Sequence, residues 1–466
     1  MSTTFGNPEE HLKTLVRIAS NLPGQMIIST ADHKIGEIAD FLKGHDLENV
    51  EVVGVKAFNK RIQMLNALKR VRPAVTVFVD DDVDWQHDKF LMNLLAGFED
   101  PKVGAVGPRQ RTFRMDKPTV WNFLGISYLE RRNFNTGATN YIDGGISTLS
   151  GRTQAVRTSI LKSKHFFNYF QTDSFLGRPL KVDDDKCLTR YLYSQGWRIA
   201  LNFSDLCTIE TTQETDSKFI DQCIRWARGH WRGNLIVMFK ETYWFKTHIW
   251  TLYAVYLSQF QTPAFLVDSI LFYALHCALN PGSPTGESWS PYSGTTRVIA
   301  YLVFALWVFF TKLVKLIPHF VRYPADLKFI PVSIVFSYFH GFINIYALLT
   351  TYKTVWGGKN LHGGATGEDA PLLSPDLDED IVSDDGSIKL DDGNDSGSSW
   401  TRVTWVDDRS GDCTTSLIGL ERQKSRYRRT LENSMAVGPQ EDESGRSSAL
   451  PGVSYQEWNY LVRQLF

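Results

Sequence analysis

Residues Val75-Thr-Val-Phe-Val79 form an apolar run of β-branched and aromatic type that leads straight into Asp80, Asp81 and Asp82. A strand of this composition buries its surface, but three adjacent carboxylates cannot follow it into the interior without a partner. The strand therefore ends where those charges find one. In open α/β sheets ligands lie beyond the carboxyl ends of the strands, and Mg²⁺ or Mn²⁺ is held by one or two carboxylates together with phosphate oxygens. The competing reading is a helix N-cap, in which an Asp opening a helix near Gln86 contributes about 1 kcal/mol. Three in a row repel one another unless a cation sits among them, which shifts the balance toward the metal.

The flanking segments alternate. His11 to Ser20 has the spacing of an amphipathic helix, and Gln25 to Thr30 that of a strand with Asp32 just past its end. A second strand, Val50 to Lys56, leads into a helix over Asn59 to Lys69 with Lys60 and Arg61 in its first turn. Cations there oppose the helix dipole, so they serve either solubility or an anionic ligand. Strand, helix, strand, helix, strand, with acids and bases at successive strand ends, predicts a mostly parallel α/β sheet around a phosphate-bearing ligand. A helix over Lys89 to Phe98, a strand over Val103 to Val106 and a helix over Trp121 to Phe134 follow. The glycine- and hydroxyl-bearing stretch Ile142 to Arg157 is either an ordinary hairpin or a place where backbone approaches a polar ligand closely.

Two later stretches carry further chemistry. Asp183, Asp184 and Asp185 open a helix, where acids favour the dipole by roughly 0.3–1 kcal/mol each. Alternatively, a carboxylate crowded by others in a partly desolvated site gains proton affinity and suits a general base. Further on, Gln222, Arg225 and Trp226 fall at i, i+3 and i+4 of one helix and share a face. An amide, a guanidinium and an indole suit a pyrophosphate and a sugar ring. A basic amphipathic helix at a membrane surface reads the same way, and both can hold at once.

The chain has 466 residues, enough for two or more domains. Its formal charge of −1 makes no electrostatic case for nucleic acid. The mean hydropathy of −0.22 averages an apolar stretch from Ile249 to Tyr352 with a polar, acidic one after Gly363. Five scattered cysteines without a Cys-x-x-Cys pair fit neither a disulfide framework nor a zinc site, and agree with a reducing compartment. No signal-peptide pattern is expected at Met1 to Gln25.

Leu252 to Leu279, Val298 to Ile317 and Phe329 to Thr350 are each long enough to cross a hydrocarbon core, which predicts three spans. Pro263 and Asp268 interrupt the first, leaving His248 to Gln261 the option of lying along the interface. The basic loop Lys312, Lys315, His319, Arg322 and Lys328 predicts a cytosolic side, since Asn280 to Thr296 carries no Lys or Arg. Three crossings would leave the C-terminus on the opposite side. The tail, rich in Gly, Ser, Pro and acid, has too little apolar surface to order itself.

Taken together, Asp32, the Asp80 to Asp82 run, Asp184-Asp185 and Gln222-x-x-Arg225-Trp226, followed by membrane helices, resemble the processive family 2 glycosyltransferases, which include the hyaluronan, chitin and cellulose synthases. Val79-Asp-Asp-Asp-Val83 and Arg225-Trp-Ala-Arg-Gly-His-Trp-Arg-Gly-Asn234 resemble most the fungal type 2 glycosyltransferases of the polysaccharide-synthase kind. The resemblance implies a GT-A type nucleotide-sugar domain over residues 1–212 whose first strand is missing, which would leave a sheet edge bare, interface helices over 213–247, transmembrane helices over 248–356 and a disordered acidic tail over 357–466. It implies that Asp32 and Lys60 contact the nucleotide, Asp80 and Asp82 the ribose, diphosphate and Mg²⁺ or Mn²⁺, and Asp185, beside Asp184, the acceptor hydroxyl as its base. Gln222, Arg225 and Trp226 would hold the diphosphate and the acceptor sugar. The implied partners are a UDP-sugar donor, a polysaccharide acceptor and the lipid bilayer, and the implied place is the plasma membrane with the catalytic part cytosolic. A non-processive lipid or protein glycosyltransferase and a catalytically impaired membrane scaffold are the alternatives. The donor sugar and the oligomeric state are not written in these motifs.

Overall fold

The computed structural model describes residues 1, 3, 8–45, 47, 50–56, 59–241, 244–261, 263–282 and 290–354. The expected acidic tail over 357–466 lies outside the described residues. Among the described residues of the first half, ten strands alternate with helices: β1 Met26–Ala31, β2 Val50–Val55, β3 Val75–Val79, β4 Val83–Trp85, β5 Val103–Thr112, β6 Thr153–Arg157, the short pair β7 Ser174–Phe175 and β8 Arg178–Pro179, then β9 Arg198–Asn202 and β10 Thr208–Thr211. The helices there are α1 Pro8–Ser20, α2 Ile35–Gly44, α3 Lys60–Arg70, α4 Phe90–Leu95, α5 Val120–Asp143, α6 Thr158–Leu161, α7 Lys164–Gln171, α8 Asp184–Ser194 and α9 Lys218–Phe239.

The sheet is mixed. Its order is β3-β6-β5-β10-β4 with β9 also on β5, and β1 and β2 form a separate parallel pair. β6 runs antiparallel between β3 and β5, and β4 antiparallel beside β10. Along one edge β5 pairs with β9 as far as Pro108 and then with β10 from Arg109. Proline has no N–H to give a ladder, and the change of partner falls at Pro108.

Two sequence expectations shift here. The carboxylate run opens no helix near Gln86: it forms the turn between β3 and β4, and α4 begins only at Phe90 with Lys89 at its N-cap. β4 is short and pairs with a strand some 120 residues away, so no local pattern marks it. The edge of β1 expected to stand bare is met by Met1, whose nitrogen donates to Ile27 O at 2.8 Å, and by Thr3, whose nitrogen donates to Ser29 O at 3.1 Å. Thr3 Oγ1 then donates to Asp81 Oδ2 at 2.7 Å, tying this edge to the end of β3.

Separate apolar clusters back these layers. Leu12, Leu15 and Val16 of α1 pack with Ile28 and with Ile38 and Leu42 of α2. Val79, Val83, Trp85, Phe90, Val106 and Ile209 fill the space behind the carboxylate turn. A third cluster joins Met64 and Leu68 of α3 to Leu188 and Leu192 of α8, so the two helices that bear charge toward the cleft share one core.

Beyond α9 come α10 Trp244–Thr247, α11 Ile249–Thr251, α12 Ala264–Leu279, α13 Gly294–Leu313, α14 Ile317–Arg322 and α15 Ile330–Leu349. Two continuous helical stretches among the described residues, Gly294–Arg322 and Pro324–Leu349, are long and apolar enough to cross a membrane. The remaining expected span is a pair, Ile249–Phe260 and Ala264–Leu279, bent by 91°. Pro263 stands at that bend, where it lacks a donor and cannot continue the preceding helix. Leu302, Val303, Leu306 and Trp307 of α13 are exposed, as residues facing lipid would be. α15 lies along α9, with Trp231 Nε1 donating to Asn344 O at 2.9 Å and Arg228 Nε to Thr350 Oγ1 at 2.9 Å.

Candidate active site

α3 begins where Asn59 turns its side chain back to accept from the Arg61 and Ile62 nitrogens at 3.0 and 3.3 Å. That cap satisfies orphan donors and lets Lys60 stand at the first helical position despite the dipole. What offsets the dipole is anionic after all. Lys60 Nζ lies 2.8 Å from Asp80 Oδ1 and 3.3 Å from Asp184 Oδ2, bridging the two acidic groups that are a hundred residues apart in the chain. Burial alone would weaken its hold on its proton, but Asp184 and Asp80 outweigh that and keep Lys60 well above the usual lysine range.

Gly151 closes the same point from the sheet side. A methyl group at its Cα would come within 3.2 Å of Lys60 Nζ and 3.5 Å of Asp184 Oδ2. The glycine stretch is therefore a close backbone approach rather than a plain hairpin. It is a loop after α5, which runs nine residues past its expected end to Asp143, and it leads into β6. Arg152, next in the chain, sits with its guanidinium 5.3 Å from the Trp226 ring centroid and donates to Gln110 Oε1 at 3.2 Å.

The remaining carboxylates lie around this bridge. Asp82 is solvent-exposed at the cleft, and Thr211 Oγ1 donates to its Oδ2 at 3.5 Å. Burial, then the charges of Asp80 and Asp81, push its carboxyl up to about 6, against the pull of Arg152. Because its surface is open to water, the like charges are the firmer cause. Asp185 is half-buried and is likewise pushed up to about 6, by burial and then by Asp184 and Asp183, with Lys60 opposing. Asp81 faces away, toward Thr3 and His11 of the N-terminal edge.

α9 supplies the opposite wall. Burial and neighbouring Arg152 loosen the Arg225 proton, while Asp80 and Asp82 tighten it, which places Arg225 within the field of the carboxylate turn. Gln222 Oε1 is buried and meets no hydrogen-bond partner among the described residues. Such an orphan costs about 1–3 kcal/mol unless something donates to it. Trp226 packs at 4.6 Å against Tyr128 of α5. Asp32 stands apart: it is exposed at the end of β1 and leans against Gly54 of β2, on the separate strand pair. Among the expected site residues, Lys60, Asp80, Asp82, Asp184, Asp185, Arg225 and Trp226 are thus brought together, Gln222 lies on the same helix face, and Asp32 lies off to one side.

Arg152, Tyr128 and Gly151 join the site without having been singled out by sequence; only the glycine-rich neighbourhood of Gly151 hinted at them. Below them Lys186 is buried beside Asp185, donates to Asn234 Oδ1 at 3.1 Å, and is lowered to about 8 by burial, against Asp185 and Asp183.

A divalent cation suits this cleft. No three His, Cys, Asp or Glu side chains among the described residues converge into a self-sufficient metal cage. Asp82 accepts weakly from Thr211 Oγ1 and has two like charges beside it, and hard cations that complete their shell with phosphate oxygens need few protein ligands. Asp80 is already shared with Lys60.

The family described as Glycosyltransferase like family 2 matches residues 3–229. The chain is 39% identical over 353 residues to the type 2 glycosyltransferase of Zymoseptoria tritici, covering 76% of this chain and 72% of that one. It is 38% identical over 377 residues to the type 2 glycosyltransferase of Pyricularia oryzae, covering 80% and 75%. Human hyaluronan synthase 3 is similar over a shorter region, 29% identical over 180 residues, or 38% of this chain and 31% of that one. The matched region takes in the whole carboxylate cleft and the Gln222 to Trp226 face, and by likeness over most of its length this chain belongs to the family 2 glycosyltransferases.

Proposed function

We propose that this glycosyltransferase moves a sugar from a UDP-sugar onto a growing polysaccharide at a membrane, with inversion at the anomeric carbon, for a cell-surface or cell-wall polymer. The single observation that carries the reading is the Lys60 bridge between Asp80 and Asp184, since it joins the donor-side carboxylates to the base-side carboxylates next to α9. Asp185 accepts the proton of the acceptor hydroxyl as that oxygen bonds to the anomeric carbon and the bond from this carbon to the diphosphate breaks. Arg225 and Lys60 face the charge that develops on the departing UDP. Trp226 and Gln222, on the α9 face they share with Arg225, would border the acceptor sugar, with Arg152 over the indole and Tyr128 against it. Asp82, with Asp80, would hold Mg²⁺ or Mn²⁺, which would offset negative charge on the leaving diphosphate.

Processive addition and export are proposed from the contact of α9 with α15, which sets Trp226 beside the apolar helices. Lys312, Lys315, His319, Arg322 and Lys328 gather where the last two candidate helical stretches meet, inside their ends rather than on a separate loop, and this basic end favours a cytosolic catalytic part and, with the polymer reading, the plasma membrane. The test is a radiolabelled panel of UDP-N-acetylglucosamine, UDP-glucose and UDP-glucuronate on purified membranes with Mn²⁺. Label in high-mass polymer is expected. Label confined to a single-addition product would replace the processive reading, and no incorporation from any donor would end the catalytic one.

Two variants test the donor side. Lys60→Met leaves Asp80 and Asp184 facing each other without their cation, and the donor KM is expected to rise about tenfold, as loss of one charge-assisted contact predicts. An unchanged KM would remove Lys60 from donor binding. Gly54→Ala would drive a methyl group into the Asp32 carboxylate and to within 2.6 Å of Ile35 Cδ1. If Asp32 contacts the nucleotide base, this variant raises donor KM severalfold while kcat holds; a changed kcat with the same KM would place Asp32 elsewhere.

A further inference from the structure

Asp183 is one of three non-glycine residues with positive φ among the described residues, at φ 60° and ψ 38°. L-residues avoid this region, and Asp183 does not use its side chain to cap α8, the helix it opens. Its carboxylate turns outward instead. Arg232 of α9, only 2% exposed, donates from Nε to Asp183 Oδ2 at 2.7 Å. The approach needs Gly229 one turn earlier on α9, where a methyl group would come within 2.5 Å of Asp183 Oδ1. From below, Arg61 of α3 donates to Val182 O at 2.7 Å and lies 3.4 Å from Asp183 O. Asp183 O in turn accepts the first α8 hydrogen bond, from the Cys187 nitrogen at 3.0 Å. Asp185 stands two residues into that helix.

We infer that Arg232 is a positioning residue for the base: by holding the Asp183 carboxylate it fixes the left-handed turn from which α8 presents Asp185 to the cleft. This rests on the proposed role of Asp185. It deepens that role by naming a residue that touches neither donor nor acceptor yet sets where the base points and how it titrates. The electrostatic part follows from the neighbours. Asp184 and Asp183 raise Asp185, Lys60 of α3 and Lys186 of α8 oppose them, Arg132 of α5 lies in the field of Asp185, and Arg232 is ion-paired to Asp183 at 2.7 Å. Arg232 also anchors the segment beyond α15, its Nη1 donating to Thr351 O and Lys353 O at 3.3 and 3.1 Å. A test must therefore separate an effect on the base from an effect on this anchor.

A cycle of full-length proteins in membranes does so: wild type, Arg232→Ala, Asp183→Gly, the double variant, and Asp185→Asn as reference. UDP release is followed from whichever of UDP-N-acetylglucosamine, UDP-glucose or UDP-glucuronate the wild type turns over fastest. Arg232→Ala is expected to lower kcat by about tenfold to a hundredfold, the scale of a small misplacement of a reacting group, with donor KM within twofold. The acid limb of its rate profile should move to higher pH, because the Asp183 charge is no longer neutralised. With glycine at 183 neither the strained turn nor that charge exists, so removing Arg232 should then change neither kcat nor the limb. An equal loss of kcat in both backgrounds would assign Arg232 to the Thr351–Lys353 anchor and overturn the inference, as would an unmoved acid limb. Activity retained in Asp185→Asn would instead sink the base assignment itself. Hydrogen exchange at the amides of residues 184–188 needs no donor: it should speed up on loss of Arg232 when Asp183 is present and not when glycine replaces it. Unchanged exchange in Arg232→Ala would likewise overturn the inference.

Discussion

Asp185→Asn is expected to abolish sugar transfer, by about 10²–10⁴-fold in kcat, while leaving donor binding intact. The amide keeps the shape of the carboxyl but cannot take a proton, and that factor is what a positioned base typically contributes. Donor affinity, read as UDP-sugar binding to the purified variant, should hold because Asp80, Asp82, Lys60 and Arg225 are untouched. Undiminished polymer yield would remove Asp185 from the reaction. The same group predicts the pH profile. It must be unprotonated to act, and its carboxyl is pushed up to about 6 by burial and by Asp184 and Asp183. Activity is therefore full above that pH and falls by about tenfold per unit below it, whereas an unshifted carboxylate would hold its rate down to about pH 4. A profile flat to pH 5 would contradict the placement of Asp185 against Asp184.

Asp326→Ala is expected to be among the most destabilising single changes in the described chain. Asp326 exposes no surface to solvent and accepts from Arg114 Nε and Nη2 at 2.9 and 2.8 Å and from His319 Nε2 at 2.9 Å. Arg114 follows β5, whereas Asp326 lies between α14 and α15, so this forked pair fastens the membrane-side helices to the catalytic sheet. Asp326 is buried while Arg114 is only partly so, and losing the carboxylate removes charge-assisted hydrogen bonds from Arg114 and His319 at a cost of about 2–3 kcal/mol. Thermal unfolding in detergent should show a Tm lower by several degrees, with Arg114→Ala similar and the double variant less than the sum. An unchanged Tm would mean that the docking rests on apolar contacts such as Phe123 against Phe329, 4.9 Å apart.

The resemblance drawn from scattered motifs held at the level of the family, while processivity, the metal and the acceptor remain proposals resting on where those motifs meet. Strand β3, its carboxylates, helix α3 and the apolar helices were legible because each is local: a β-branched run, a capped helix with 3.6-residue spacing, or about twenty apolar residues needs no distant partner to be recognised. β4 and β6 were not, since each is short and owes its existence to pairing with residues far along the chain. The length of α5 was missed for a related reason: Gly137 and Thr139 are weak helix formers, yet both are buried, so packing overrides propensity there.

The order of residues was enough to say which groups carry charge and which helix faces pair an amide with a guanidinium and an indole. It could not say that Lys60 would meet Asp184, or that Arg152 would lie over Trp226, because a contact across a hundred residues follows from how the layers stack and not from any local spacing. The same holds for Asp183, which reads as an ordinary acid at a helix start. Only the approach of Arg232 and Gly229 from another helix makes its left-handed backbone and outward carboxylate affordable.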